Sequence, residues 1–285
     1  MTQFRETVSI AGITMAVDSP REFQLTDRVA PFRSACETPD VTLTLCQGGD
    51  FDEAGMELLH RGERRTLWRR GRELVYACRD GQTKELRWFT CQQAERPEQV
   101  AVHVLAEDIW QRFNPLTFVE LSDFMIRRGA MILHSSLIDH QGRGIVFTAP
   151  SGTGKSTQAD LWHKYRGAEI LNGDRSIIRR EGSGYRCYGS PYAGSSGIYQ
   201  NKSVALGAVV VLRQAPKNRI RRMKAREAYL CLLSEMSLSP IDRETVEKQS
   251  QWLLDLISAV PVYLLECLPD EGAVDALWGA MEGEL

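Results

Sequence analysis

Apolar and polar positions alternate through the first third of the chain and give way to helical spacing in the last quarter. Residues 8–17 alternate around Gly12, and residues 41–45 alternate position by position, as half-buried strands do. Residues 65–69, 73–77 and 85–90 are further strand candidates, separated by Gly71 and by Asp80-Gly81. That spacing predicts an antiparallel meander, with Asp-Gly as its strongest turn signal. Residues 1–115 are therefore expected to form a β-rich module. Within its last part and just beyond, residues 107–112 and 115–128 are expected to be helical, with Phe118, Leu121, Phe124 and Met125 at helical spacing in the second.

A second domain is expected over residues 116–285. Residues 131–138 read as a strand, and residues 139–144 are too few for anything but a hairpin turn. The returning strand, with Ile145, Val146 and Phe147, stops at Pro150. A helix follows from Lys155 to Arg166, ended by Gly167, then a short strand at 168–171. Residues 175–180 and 185–188 form a second hairpin, a loop of small residues covers 189–197, and the apolar run 205–212 predicts a central buried strand. Helices are expected at 225–236 and 242–260, the latter with Val246, Leu253, Ile257 and Val260 on one face. A strand at 261–267 and a final helix at 271–281, capped by Asp270, complete the chain. Because a hairpin partner precedes the glycine-rich turn, a mixed or largely antiparallel sheet is favoured, and the class is α/β, more narrowly α+β.

Pro150-Ser151-Gly152-Thr153-Gly154-Lys155-Ser156-Thr157 carries the chemistry. Strand, glycine loop and Lys-Ser at a helix start are the physical requirements for holding a nucleotide's phosphates. Gly152 and Gly154 let consecutive backbone N–H groups converge on an anion, and the helix N-terminus adds its positive end. Lys155 reaches the outer phosphates and Ser156 can ligate Mg²⁺. Ala149 stands where the G-x-x-x-x-G-K-[ST] pattern has its first glycine. The bland alternative is a glycine-rich turn with a solvated lysine.

Composition changes little in this picture. The 285 residues are 43% apolar and 25% charged, ordinary for globular chains, and a net charge of −2 gives no reason to invoke nucleic acid or an anionic membrane. No apolar run reaches bilayer length and the N-terminus has no leader-like apolar segment, so a cytoplasmic protein is expected. Cys36, Cys46, Cys78, Cys91, Cys187, Cys231 and Cys267 are odd in number and never in C-x-x-C spacing. They are expected to be reduced, most of them small core residues, rather than zinc ligands or a disulfide framework.

Three other groups are candidates. Asp174 ends a short apolar strand about twenty residues after Lys155, where its carboxylate and Ser156 would supply two oxygen ligands to Mg²⁺; Asn172-Gly173-Asp174 is also an ordinary turn sequence. His134 lies on the strand hairpinned to the one feeding the loop and can act in proton transfer, or be a hydrogen-bonded sheet histidine. His140 and His163 read as turn and helix-surface residues. The arginines Arg61, Arg64, Arg65, Arg69 and Arg70, and the basic run from Arg213 to Arg226, either dock an acidic group or are solvated faces.

Leu133-His134, the hairpin, Pro150 to Thr157, Arg166-Gly167 and Leu171 to Asp174 together resemble the catalytic domain of HPr serine kinase/phosphorylase, of the phosphoenolpyruvate carboxykinase fold group. The motifs span residues 125–215. The remaining parts look like HPr-kinase-like proteins found with peptide-modification gene clusters. The resemblance implies a mixed-sheet P-loop kinase domain that moves the γ-phosphoryl of ATP, with Mg²⁺, to a hydroxyl-bearing protein, peptide or small-molecule acceptor. It implies catalytic roles for His134 and Asp174, nucleotide contacts from Pro150 through Thr157, and metal ligation by Ser156 and Asp174. The family carries an Asp-Asp pair, whereas this chain has Gly173-Asp174-Arg175, with one aspartate. A nucleotide-binding regulatory or adaptor protein acting with a partner is the alternative. Neither nucleic acid nor membrane is an expected partner, and the oligomeric state, a homo-oligomer included, stays open.

Overall fold

The first alternating segment folds back at Ala11 and Gly12 into β1 (Phe4–Ile10) and β2 (Ile13–Ser19) in the computed structural model, which describes residues 3–239 and 242–283. Met1 and Thr2, where the leader reading begins, lie outside the described residues. The strands that follow are β3 (Val41–Gln47), β4 (Glu57–Arg61), β5 (Arg65–Arg70), β6 (Glu73–Arg79), β7 (Leu86–Gln93) and β8 (Gln99–Val104). They form one eight-stranded sheet in the order β1-β2-β3-β8-β7-β6-β5-β4. β3 runs parallel to both β2 and β8, and the remaining pairs are antiparallel, including the expected meander β5-β6-β7.

β8 was not expected. Its Val100, Val102 and Val104 are 2% exposed or less, a period-two pattern that joins β3 to β7 in the sheet's middle. The long helix expected at 115–128 is also absent as such. It is split into a 3-10 turn, Pro115–Thr117, and the short α2 (Leu121–Ile126), after α1 (Asp108–Gln111). Glu120 sits at the break, where its carboxylate accepts from the Ser122 hydroxyl at 2.6 Å and from the Tyr76 hydroxyl at 2.5 Å. A side chain spent on those partners and Asn114 capping the first turn favour two short pieces over one continuous helix. On the arginine-rich strands, Arg69 pairs with Glu57 and Arg70 with Glu73 inside the sheet, so these two do not form a free basic face.

The chain divides into two units, one running to Phe124 and one from Met125 to Leu238 and again from Arg243. The second unit contains β9 (Ala130–His140), β10 (Arg143–Thr148), α3 (Lys155–Arg166), β11 (Glu169–Asn172), β12 (Arg175–Glu181), β13 (Gly184–Tyr188), β14 (Ser203–Gln214), β15 (Arg219–Arg222), α4 (Ala225–Glu235), α5 (Arg243–Ala259), β16 (Val262–Cys267) and α6 (Glu271–Glu282). β9 and β10 are the expected antiparallel hairpin, while β10, β14 and β16 run parallel side by side. β10 pairs with both β9 and β14, so β9, β12, β13, β14 and β10 close on themselves. Both sheets are thus mixed, and the architecture is α+β with six α-helices among the described residues.

β14 is apolar on both faces because it is covered on both. Val209 and Val211 pack with residues of α4 and α5, such as Leu232 and Leu253, and Ala208, Val210 and Leu212 with α3 and α6 residues such as Trp162 and Leu277. Burying each such Val or Leu is worth about 1.5–3 kcal/mol, and this fixes the strand that flanks the glycine-rich loop. Asp270 caps α6 as expected, accepting from Ala273 N at 3.1 Å.

Several finer expectations are corrected. Val246 is 48% exposed, and the inner face of α5 instead includes the buried polar Thr245 and Gln249 beside Trp252, Leu253 and Leu256. The basic run contains the edge strand β15, invisible to periodicity because Ile220 is its sole apolar residue. Of the cysteines, all free, Cys187 alone is buried; the other six are half-buried, not core residues. His140 is no turn-surface residue. It is 5% exposed, with its ring edge-on to Trp162 and Trp278 at 5.4 and 4.9 Å. No helix among the described residues is long and apolar enough to cross a membrane.

Candidate functional site

β10 ends at Thr148, and the chain turns through Ala149 to Gly154 before entering α3. Gly154 stands at the helix cap with φ 115°, a conformation that a side chain would oppose, and Gln158 N closes the first turn on Gly154 O at 2.9 Å. Pro150, Ser151 and Gly152 are exposed, Thr153 and Ser156 half-buried, and Thr157 exposed. Ser156 makes no side-chain hydrogen bond among the described residues. Lys155 is the exception to this openness. It is 8% exposed, and Nζ donates to Ala149 O at 2.8 Å and to Pro150 O at 3.4 Å. Burial pushes its pKa down, opposed by the charges of Glu235 and Asp174.

Those carboxylates meet at His134. The register places His134 on β9 opposite Arg175 on β12, with Ser135 N donating to Asp174 O at 2.8 Å. Thr148, the last residue of β10, donates its hydroxyl to His134 O at 2.9 Å and so ties the histidine's backbone to the start of the loop. His134 Nε2 lies 3.7 Å from Asp174 Oδ1, ion-pair rather than hydrogen-bond distance, and Nδ1 lies 3.2 Å from Glu235 Oε2. With its proton on Nδ1 the neutral ring donates to Glu235; at 3.7 Å the Asp174 carboxylate acts on the ring by charge and not through a hydrogen bond. The structure therefore brings His134, Asp174 and Glu235 together. It shows no hydrogen bond between Ser156 and Asp174.

Asp174 is held from two sides. The buried Asn172 accepts on Oδ1 from Asp174 N at 3.1 Å and from Arg175 N at 2.8 Å, while its Nδ2 donates to Ser190 O and Tyr192 O, both at 3.0 Å. One side chain thus shapes the turn and pins the 189–197 loop over it. In that loop Gly194 (φ 55°) passes so close that a Cβ there would stand 2.8–3.0 Å from the Asp174 side chain.

A cavity of about 590 Å³ opens beside this cluster. Loop residues 148–153, the end of β14 and the α4 residues Cys231, Ser234 and Glu235 line it. Arg213 lines it too, with Nη1 3.3 Å from Glu266 Oε1, whereas Arg221 pairs with Glu227 at 2.5 Å on the exposed edge strand. Among the described residues no group of three or more His, Cys, Asp or Glu side chains is arranged to hold a metal ion. Sequence reasoning missed Glu235. It ends an amphipathic helix 101 residues from His134, and no local pattern marks a contact made only by tertiary packing.

Fold and loop define an α+β protein with a glycine-rich strand-to-helix turn beside a histidine and two acids. The chain belongs to the family described as SynChlorMet cassette protein ScmC, whose model matches residues 116–282. Among solved structures, the Hpr(Ser) kinase/phosphatase from Coxiella burnetii is 11% identical, with 54% of this chain and 97% of that chain covered at a TM-score of 0.32, too low to carry an argument. No curated protein matches.

Proposed function

We propose that the chain is an ATP-dependent phosphotransferase that moves the γ-phosphoryl group to a hydroxyl of a protein, peptide or small-molecule acceptor. The observation that carries this reading is Lys155. A cation 8% exposed, forming no ion pair among the described residues and turned onto its own loop's carbonyls, is costly to bury, and an anion at the loop would offset that cost. The N-terminus of α3 and the loop's backbone N–H groups, apart from that of Thr153, which donates to Pro150 O at 3.3 Å, supply the rest of an anion site.

In this reading Pro150 through Thr157 hold the phosphates and Lys155 leaves Ala149 O for the outer ones. His134 accepts the acceptor's hydroxyl proton as the new P–O bond forms and the bond to ADP breaks, and Glu235 takes the hydrogen bond of the protonated ring. Mg²⁺ is bound through few protein groups and keeps several waters, so the Ser156 hydroxyl and the Asp174 carboxylate suit it without a larger cluster. Bound there, the ion would neutralise charge on the phosphates.

Incubation of the protein with γ-labelled ATP, Mg²⁺ and a panel of peptide and small-molecule alcohols tests the proposal. Label should appear in an acceptor, and Lys155→Ala should abolish it. Tight ATP binding with no transfer to any member of the panel would instead favour a nucleotide-binding adaptor, a reading that the single aspartate of Gly173-Asp174-Arg175 supports.

A further inference from the structure

Two cavities meet at the glycine-rich loop, and the proposed chemistry uses one of them. The second, of about 430 Å³, is bounded by Thr157 and Gln158 in the first turn of α3, by Ala215 after β14, and by Cys267 and Leu268 at the end of β16. The two share Gly152, Thr153, Leu212 and Gln214, so an elongated ligand crossing the loop can occupy both. Their walls differ in charge. Arg213 and Glu235 line the first, whereas no charged side chain among the described residues lines the second.

We infer that the second cavity takes the base of the bound nucleotide, a neutral flat ring carrying an exocyclic amine, and that the cavity at Glu235 is left for the acceptor. The inference rests on the loop being a phosphate site. Glu235, which lines the first cavity, holds His134, the proposed proton acceptor, at 3.2 Å, so the reacting end of the nucleotide belongs on that side of the loop. The base end then lies toward the cavity that lacks charge, where Leu212, Leu268 and Pro269 offer apolar walls to a ring. That cavity opens at the C-terminal ends of the parallel strands β14 and β16, the edge where α/β sheets receive ligands. Gln158 gives a polar reason as well. It is 2% exposed; Nε2 donates to Cys267 Sγ at 3.4 Å, and Oε1 has no partner. A base amine reaching this oxygen supplies the donor it lacks.

Each cavity carries a native reporter, Cys231 in the first and Cys267 in the second. The full chain is alkylated with N-ethylmaleimide, alone or with adenosine, ATP or inorganic tripolyphosphate, and the two cysteine peptides are followed by mass spectrometry. Saturating adenosine or ATP should slow labelling of Cys267 at least about tenfold, adenosine should leave Cys231 unaffected, and tripolyphosphate should leave Cys267 unaffected. Adenosine protecting Cys231 and not Cys267 overturns the inference. As a second measure, Ala215→Trp fills the cavity and should weaken ATP binding about tenfold or more while leaving tripolyphosphate binding unchanged; unchanged ATP binding, or an equal loss for both ligands, overturns it. Tripolyphosphate binding without ATP protection of Cys267 removes this inference alone. If neither ligand binds, the phosphate reading fails and takes the inference with it.

Discussion

His134 and Glu235 stand 101 residues apart in the chain and 3.2 Å apart in the fold, joined through Nδ1 and Oε2. The glutamate's side chain is 11% exposed, so its charge is little screened and the contact fixes the histidine ring. If the two work as one unit, His134→Ala should lower the transfer rate about 10²–10⁴-fold. Glu235→Ala should then cost little more in the His134→Ala background than the histidine change alone. A double-mutant cycle on kcat reads this directly, and additive losses would show that Glu235 acts independently.

Lys155 sets function against stability. Its folded pKa lies below the ordinary 10.5 because burial disfavours the ammonium. The unfolded state therefore binds the proton more tightly, and this group's contribution to stability rises with pH between the folded pKa and 10.5. At neutral pH the charged side chain is a burden on the empty protein. Lys155→Met should abolish ATP binding and raise unfolding stability by about 0.5–2 kcal/mol. Thermal melts without nucleotide check this; a lowered Tm means that the bonds to Ala149 O and Pro150 O outweigh the buried charge.

Gly194 offers a change that touches neither the loop nor the histidine. Its φ of 55° and the 2.8 Å approach to Asp174 Cβ leave no room for a methyl group. Gly194→Ala should cost about 1–2 kcal/mol from the left-handed backbone alone and displace the Asp174 carboxylate. Transfer should fall while tripolyphosphate binding at the loop persists. Full activity in a folded Gly194→Ala protein would mean that the position of Asp174 does not matter.

Legibility in the sequence followed the range of the interactions involved. The hairpin β9-β10, the glycine loop, α3 with its Gly167 end and the Asp270 cap are set by residues close in the chain, and all were readable. The continuous run of β14 signalled burial on both faces, and packing by four helices accounts for it. The break at Glu120 was not readable, because it depends on Tyr76, a residue on the distant strand β6. Nor was the burial of His140, whose place in a turn sequence says nothing of Trp162 and Trp278 closing over it. Within the site, His134 and Asp174 were reached through local motifs, whereas Glu235 depends on where α4 packs against β9.

The burial of His140 has a consequence at acid pH. Its ring is 5% exposed between Trp162 and Trp278, and desolvation pushes its pKa below the ordinary 6.5. The Arg166 charge pushes the same way, and Asp139 opposes both. The unfolded state therefore takes up the proton first as pH falls. Stability from this residue is fully present above about pH 6.5 and is lost progressively down to the folded pKa, below which the loss is constant. Replacing the imidazole by a ring that cannot titrate while keeping edge contacts with both tryptophans removes that dependence. His140→Phe should match the wild type near pH 7 and lose less stability between pH 6.5 and the lower end of the transition. Urea unfolding across that interval measures it; parallel pH profiles for the two proteins would assign the acid limb to other groups.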